Sequence, residues 1–228
     1  MFAAWTEFER THFNTCEPDV AGLIIHPAET VSALAYLVAA VVVWRTSASV
    51  DRTFPVRLCP FILVVIAVTS VLFHASSAEI FQKTDLMAVL LLTNLLLVTS
   101  LAHTGYITLI WWLPLFVGVS VATSLLTFLE TGLGFLIATL ESIAIMYCWH
   151  HLPRKDSVTK HQLRTLICLI TPGAVLLGLG HAGIGCLTNG MAAHILQPHV
   201  VWHILSSICC VIIVSVEQQL ELQWRTHL

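Results

Sequence analysis

The stretch Pro60-Phe61-Ile62-Leu63-Val64-Val65-Ile66-Ala67-Val68-Thr69-Ser70-Val71-Leu72-Phe73-His74-Ala75 decides the fold. It is the core of an apolar run over 56–75, and a membrane-spanning helix needs about 20 such residues. Working outward, six more runs of similar character lie at 29–44, 84–103, 106–126, 131–150, 162–185 and 195–216. They are too long and too continuous for strands of an outer-membrane barrel, which alternate over about 10 residues. Of the 228 residues, 57% are hydrophobic and 10% charged, whereas a soluble domain carries about 25% charged residues. The mean hydropathy is +0.87. A formal charge of −3 also argues against a nucleic-acid surface. The expectation is an all-α integral membrane protein, a seven-transmembrane helix bundle of one domain over 29–216. It is preceded by an N-terminal segment, 1–28, and followed by a tail, 217–228. Too few residues remain for a soluble catalytic domain, so any chemistry must sit among the helices.

The segment Met1–Asp19 carries Glu7, Glu9, Arg10 and Glu17 without an apolar core, unlike a signal peptide. Pro55, Pro60, Pro153, Pro172 and Pro198 read as punctuation of loops and helix starts, whereas Pro114 falls inside the fourth run and is expected to kink it. With seven spans, Arg10 and Lys83 share one side of the membrane. Arg45, Arg52, Arg57, Arg154, Lys155, Lys160, Arg164 and Arg225 share the other. The positive-inside rule places the richer side in the cytoplasm, so the N-terminus is expected outside or in a lumen and the C-terminus in the cytoplasm.

Ionisable groups inside membrane helices are costly and point to function. Ser70 and His74, four residues apart, share a helix face near the end of the second run; His199 and His203 do the same at the start of the seventh. Asp85 opens the third run. The topology puts all five at similar depth on the non-cytoplasmic side. Alone, each has a bland role: interfacial imidazole, back-bonded hydroxyl or helix cap. Together they suit a catalytic zinc, which takes three protein ligands and keeps one position open. His74, His199 and His203 are the candidate ligands. Asp85 is the candidate acid and base, and Ser70 the candidate oxyanion donor. Glu141, inside the fifth run, is unassigned between a cavity role and a polar partner across the bundle. Cys59, Cys148, Cys168, Cys209 and Cys210 lie in or near apolar runs and read as small packing residues.

This Ser-x3-His, Asp, His-x3-His pattern over spans two, three and seven resembles the superfamily that holds alkaline ceramidases, adiponectin and progestin receptors, and hemolysin-III-like proteins. Cys16-Glu17-Pro18-Asp19 and Glu29 are most similar to the N-terminal segment of the alkaline ceramidases. That resemblance implies a calcium site built from Glu17, Asp19 and Glu29, with Asn14 and the Thr15 carbonyl as weaker candidates. It further implies a Cys16–Cys186 disulfide, and both cysteines fall on the oxidising side of the membrane. The chain departs from the animal-type pattern at Ser32 and Tyr36. It departs again at Leu179–Cys186, where His181 is a candidate substitute polar contact. The function implied is zinc-dependent hydrolysis of the N-acyl amide of a ceramide-like membrane lipid, giving a sphingoid base and a fatty acid. The alternative is a non-catalytic receptor-like or hemolysin-III-like bundle with a structural zinc. The expected location is a bacterial inner membrane or an endoplasmic reticulum or Golgi membrane, and no protein partner is inferred.

Overall fold

The computed structural model describes residues 5, 7–11, 16–47, 54–151, 157–184, 186 and 197–225. Among these residues the regular secondary structure is all helical, with one isolated bridge and no strand. The helices are α1 Pro27–Ala33, α2 Ala35–Ser47, α3 Phe54–Ser76, α4 Glu79–His103, α5 Trp112–Leu129, α6 Thr131–His151, α7 Ser157–His181 and α8 Pro198–Arg225. With α1 and α2 read as one interrupted span, seven helices among the described residues are long and apolar enough to cross a membrane. That is the architecture of a multi-pass membrane protein.

The surface agrees with that reading. Leu136, Leu140, Ile143 and Tyr147 form an apolar stripe at helical spacing on α6, and all four are exposed. Glu141 on the same helix is buried. Polar inside and apolar outside is the reverse of a soluble helix, and it is stable only where the surroundings are hydrocarbon. Helix α4 is the most enclosed span and packs against α3, α5, α6 and α8, while α5 is the least covered. Helix α8 lies against α7, α2 and α1.

Several ends differ from the hydropathy reading. Helix α4 begins at Glu79, five residues before the apolar run, because Glu79 and Lys83 pair one turn apart (2.6 Å) and extend the helix as a polar first turn. Asp85 is therefore within the helix rather than opening it. The fourth span starts later than expected: Gly105 has φ +78, a left-handed turn after α4. Pro114 consequently sits in the first turn of α5, where its missing N–H costs nothing. Pro60 and Pro172, expected at helix boundaries, lie inside α3 and α7; membrane helices tolerate this when neighbouring groups satisfy the freed carbonyls. Helix α8 runs on through 217, the expected start of the tail, to Arg225. Glu217 is buried there, accepting hydrogen bonds from Ser100 and from the Trp149 indole, each 2.8 Å. Pro153, Arg154 and Lys155 lie outside the described residues.

The N-terminal segment folds onto the end of the bundle where α3 stops and α8 starts. Ile25 and His26 donate their amides to the carbonyls of Ala75 (3.0 Å) and His74 (3.1 Å), groups that a helix end leaves without intrahelical partners. Arg10 bridges to Ala78 in the α3–α4 turn, and Thr11 donates to Gln82 (2.5 Å). Cys16 and Cys186 form a disulfide. Of the other cysteines, Cys168 faces outward and so does not pack in the core.

Candidate metal centre

Three imidazoles meet at this end of the bundle. His74, in the last turn of α3, is fully buried. His199 and His203, in the first two turns of α8, are 8% and 3% exposed. The ring centroids form a nearly equilateral triangle, with His74–His199 at 4.8 Å, His74–His203 at 4.9 Å and His199–His203 at 4.6 Å. The rings are steeply inclined to one another rather than stacked, and one nitrogen from each lies within 4.8 Å of the others. Ligand nitrogens around a tetrahedral ion with bonds of about 2.0–2.1 Å sit about 3.3–3.4 Å apart, so small ring rotations close the set on one ion.

Polar groups lie behind two of the rings. Glu29 Oε2 is 2.9 Å from His74 Nδ1, with both side chains wholly buried. This is the carboxylate–imidazole pairing that orients metal-binding histidines and makes them better donors. Ser32, one turn along, donates its hydroxyl hydrogen to the Glu29 carbonyl (2.9 Å), so its oxygen is left to accept from His203 Nδ1, 2.8 Å away. Tyr36 extends the contact: its hydroxyl pairs with Ser206 (2.6 Å) and its ring meets His203 edge-on at 5.8 Å. With Nδ1 of both rings beside these groups, Nε2 is the nitrogen left for a metal ion. His74 Nε2 is buried and makes no hydrogen bond among the described residues, and Nδ1 meets Glu29 at ion-pair distance without the alignment of a hydrogen bond. A buried nitrogen in that condition is what a metal satisfies, and a set of imidazoles suits zinc, copper, iron or nickel rather than calcium or magnesium.

Ser70 is 1% exposed on α3, one turn before His74. Asp85 is brought against the same stretch of α3, where Thr69 donates to its Oδ1 (3.1 Å). It does not belong to either close group of three ligand side chains among the described residues; these are His74, His199, His203 and His26, Glu29, His74. His181, the last residue of α7, places its ring 6.1 Å from that of His199. Glu141 is away from this cluster and accepts from Thr93 of α4.

The expected calcium acids do not come together as one such group. Glu17 turns both carboxylate oxygens onto the first turn of α1, accepting from the amides of Ala28 and Glu29, each 2.9 Å. Asp19 pairs with Arg10 and with His26 Nε2, each 3.0 Å. Burial pushes the Asp19 carboxyl up, but the hydrogen bonds to Arg10 and His26 outweigh it and hold the group below the usual carboxylate range. Glu29 Oε2 lies between two imidazoles, 2.9 Å from His74 Nδ1 and 3.8 Å from His26 Nδ1. Asn14 and Thr15 lie outside the described residues.

The partners of the ligands were not singled out from the sequence as such. Glu29 reads there as a calcium acid, Ser32 as a departure from a family pattern, and His26 goes unremarked. Their signal is a stripe: His26, Glu29, Ser32 and Tyr36 recur every three or four residues along an otherwise apolar span, which marks the face turned into the bundle. In comparisons with known proteins, the chain matches no family model and no curated protein.

Proposed function

We propose that this chain is a zinc-dependent hydrolase working within the membrane on the N-acyl amide bond of ceramide-like lipids, as the resemblance to alkaline ceramidases implies. The observation that carries the reading is the buried triangle of His74, His199 and His203, with Glu29 and Ser32 fixing two of its rings from behind. Three neutral ligands leave room for a fourth partner, the arrangement of a catalytic rather than a closed structural site. Zinc held there supplies Lewis acidity and lowers the pKa of water to about 7.

The chain's own residues do the rest. Asp85, held by Thr69 beside the Ser70 turn, accepts the proton of the attacking water and returns it to the departing amine. Ser70 donates a hydrogen bond to the acyl oxygen as charge develops on it. An amide has a poor leaving group and needs both an electrophile and a proton donor, and these residues supply the proton donor. The apolar outer faces of the spans admit a substrate dissolved in the bilayer. Arg45, Arg57, Lys160 and Arg164 lie at the opposite end of the bundle from the histidines, by the direction of their helices. The positive-inside rule then puts the metal end and the N-terminus outside or in a lumen.

The test is release of fatty acid from a fluorescent N-acyl sphingosine by the purified chain in detergent. Release should stop with a chelator, return with zinc, and be absent in His74→Ala. If zinc-loaded, folded protein turns over no N-acyl lipid, the hydrolase reading falls; a loss of stability in His74→Ala would then mark the histidines as a structural metal site in a receptor-like bundle.

A further inference from the structure

We propose that the N-terminal segment, closed by the Cys16–Cys186 disulfide, is a clasp on the metal ligands, so that the thiol–disulfide state of this pair sets how fast the chain releases its metal. This rests on the reading of the three histidines as a metal site and adds a means of controlling it.

Two lines of contact run from the disulfide to the triangle. The first passes through Glu17, the residue after Cys16. Its carboxylate, on a residue only 5% exposed, holds the amides of Ala28 and Glu29 and so fixes the first turn of α1. That turn presents Glu29 to His74 Nδ1 and, one turn on, Ser32 to His203 Nδ1. Displacing Glu17 therefore loosens the support of two ligands at once. The second line passes through Gly180. Cys16 Sγ lies 3.4 Å from the Gly180 carbonyl. A Cβ at Gly180 would stand 3.2 Å from Pro198 Cβ and 3.7 Å from Cys16 Sγ, so these groups meet where only glycine fits without displacement. Pro198 opens α8 and immediately precedes His199. The disulfide thus wedges the seam between the end of α7 and the start of the helix that carries two of the three ligands.

Cys16 is also held in the left-handed region, at φ +70. A non-glycine residue rarely stays there unless its surroundings impose it. The bond to Cys186, 170 residues away in sequence, is such a constraint. Cutting it frees Cys16 to relax, and Glu17 moves with it.

The reduction is written with a water-soluble phosphine, which unlike a dithiol does not compete strongly for zinc. The phosphine attacks one sulfur and the S–S bond breaks. Water supplies the oxygen of the resulting phosphine oxide, and its two protons end on the Cys16 and Cys186 thiols. The phosphine loses two electrons and the disulfide gains them.

The experiment follows zinc release from the full chain, in detergent, to a chromophoric chelator, and in parallel the visible absorption of the cobalt-loaded protein. Losing the support behind a metal-binding histidine costs about 10–100-fold in affinity. The clasp acts one step further out, so release should quicken by about tenfold, the low end of that range. That change is expected after phosphine treatment, in the Cys16→Ser/Cys186→Ser double variant and in Glu17→Gln, with altered cobalt bands and unchanged helix content. Trp5→Phe is the control. It removes another tether of the same segment, the indole bond to the Leu23 carbonyl (2.7 Å), and should release zinc at the original rate. Phosphine acts on protein already folded, so the test survives a variant that fails to fold. Release within twofold of the untreated protein, with unchanged cobalt bands, overturns the clasp and leaves the metal site standing. Failure of the untreated chain to hold stoichiometric zinc overturns the metal reading and the clasp with it.

Discussion

Replacing Glu29 by Gln keeps the volume and one acceptor oxygen behind His74 but removes the charge. The magnitude follows from where the carboxylate sits. Its Oε2 is 2.9 Å from His74 Nδ1, with both groups wholly shielded from solvent. An ion on the far nitrogen of the ring lies about 7 Å away, so at an effective dielectric of about 20 the direct attraction to a divalent ion is about 5 kcal/mol. Much of this is offset, because a buried carboxylate without the ion is itself costly and its removal relieves that cost. The expected outcome is the loss seen when such a partner is removed, about 10–100-fold in metal affinity, or about 1.4–2.8 kcal/mol. Competition against a chelator of known affinity measures it directly. A second assay is the stabilisation given by a fixed excess of zinc, which should shrink by a similar amount. Ser32→Ala provides the internal comparison. Ser32 is a neutral acceptor at 2.8 Å from His203 Nδ1, and hydrogen bonds to charged groups are roughly twice as strong as neutral ones, so its effect should be the smaller. A change below about threefold for Glu29→Gln, or a larger loss for Ser32→Ala, would refute the assignment of Glu29 as the charge that supports His74.

Two other substitutions separate chemistry from packing. Asp85→Asn should retain zinc, since Asp85 is outside the ligand triangle, while turnover of an N-acyl lipid falls by about 10²–10⁴-fold, the usual contribution of a general base; loss of zinc instead would make Asp85 a ligand. Gly134→Ala should destabilise the bundle by about 1–3 kcal/mol, because the new methyl would stand 2.6 Å from Leu86 and 2.7 Å from the Thr127 hydroxyl; a thermal unfolding midpoint equal to that of the parent would show that α4, α5 and α6 are less tightly apposed there.

The spans were legible because a membrane demands a long apolar run, and hydropathy reports little else. It fails where a helix continues on polar residues. Glu79 to Lys83 looks like a loop by composition, yet the Lys83–Glu79 pair makes it the start of α4. The end of α8 fails in the same way, since Glu217 reads as a tail residue and is buried among Ser100, His103 and Trp149. The three histidines were legible because the i, i+4 spacing of His199 and His203 and the alternation of spans, which brings His74 to the same level, need no knowledge of packing. Their supports were not. Whether Glu29 faces calcium or His74 depends on the rotation of α1 against α3, and residues 45 positions apart carry no periodicity to report it. The disulfide pairing came from the family resemblance and agrees with the observed bond.

Apolar surfaces in lipid slide past one another with little preference, so the register of the helices has to come from directed contacts. Helix α4 carries a set of them along its length. Gln82 takes a bond from Thr11, Asp85 from Thr69 of α3 and Thr123 of α5 takes one from Asn94; Glu141 of α6 accepts from Thr93, and Ser100 donates to Glu217 of α8. Each such bond is worth about 0.6–2 kcal/mol within a membrane, too little to hold the bundle alone but enough to choose between neighbouring registers. Sliding α8 by one turn along α2 and α4 would break the Tyr36–Ser206 and Ser100–Glu217 contacts together. It would also carry His203 away from Ser32. The position of two imidazoles beneath the end of α3 is therefore fixed along α8 by contacts that involve no ring nitrogen of His199 or His203. A metal held by these imidazoles would need them placed to about 0.5 Å, and hydrogen bonds as far away as the opposite end of the bundle contribute to that placement.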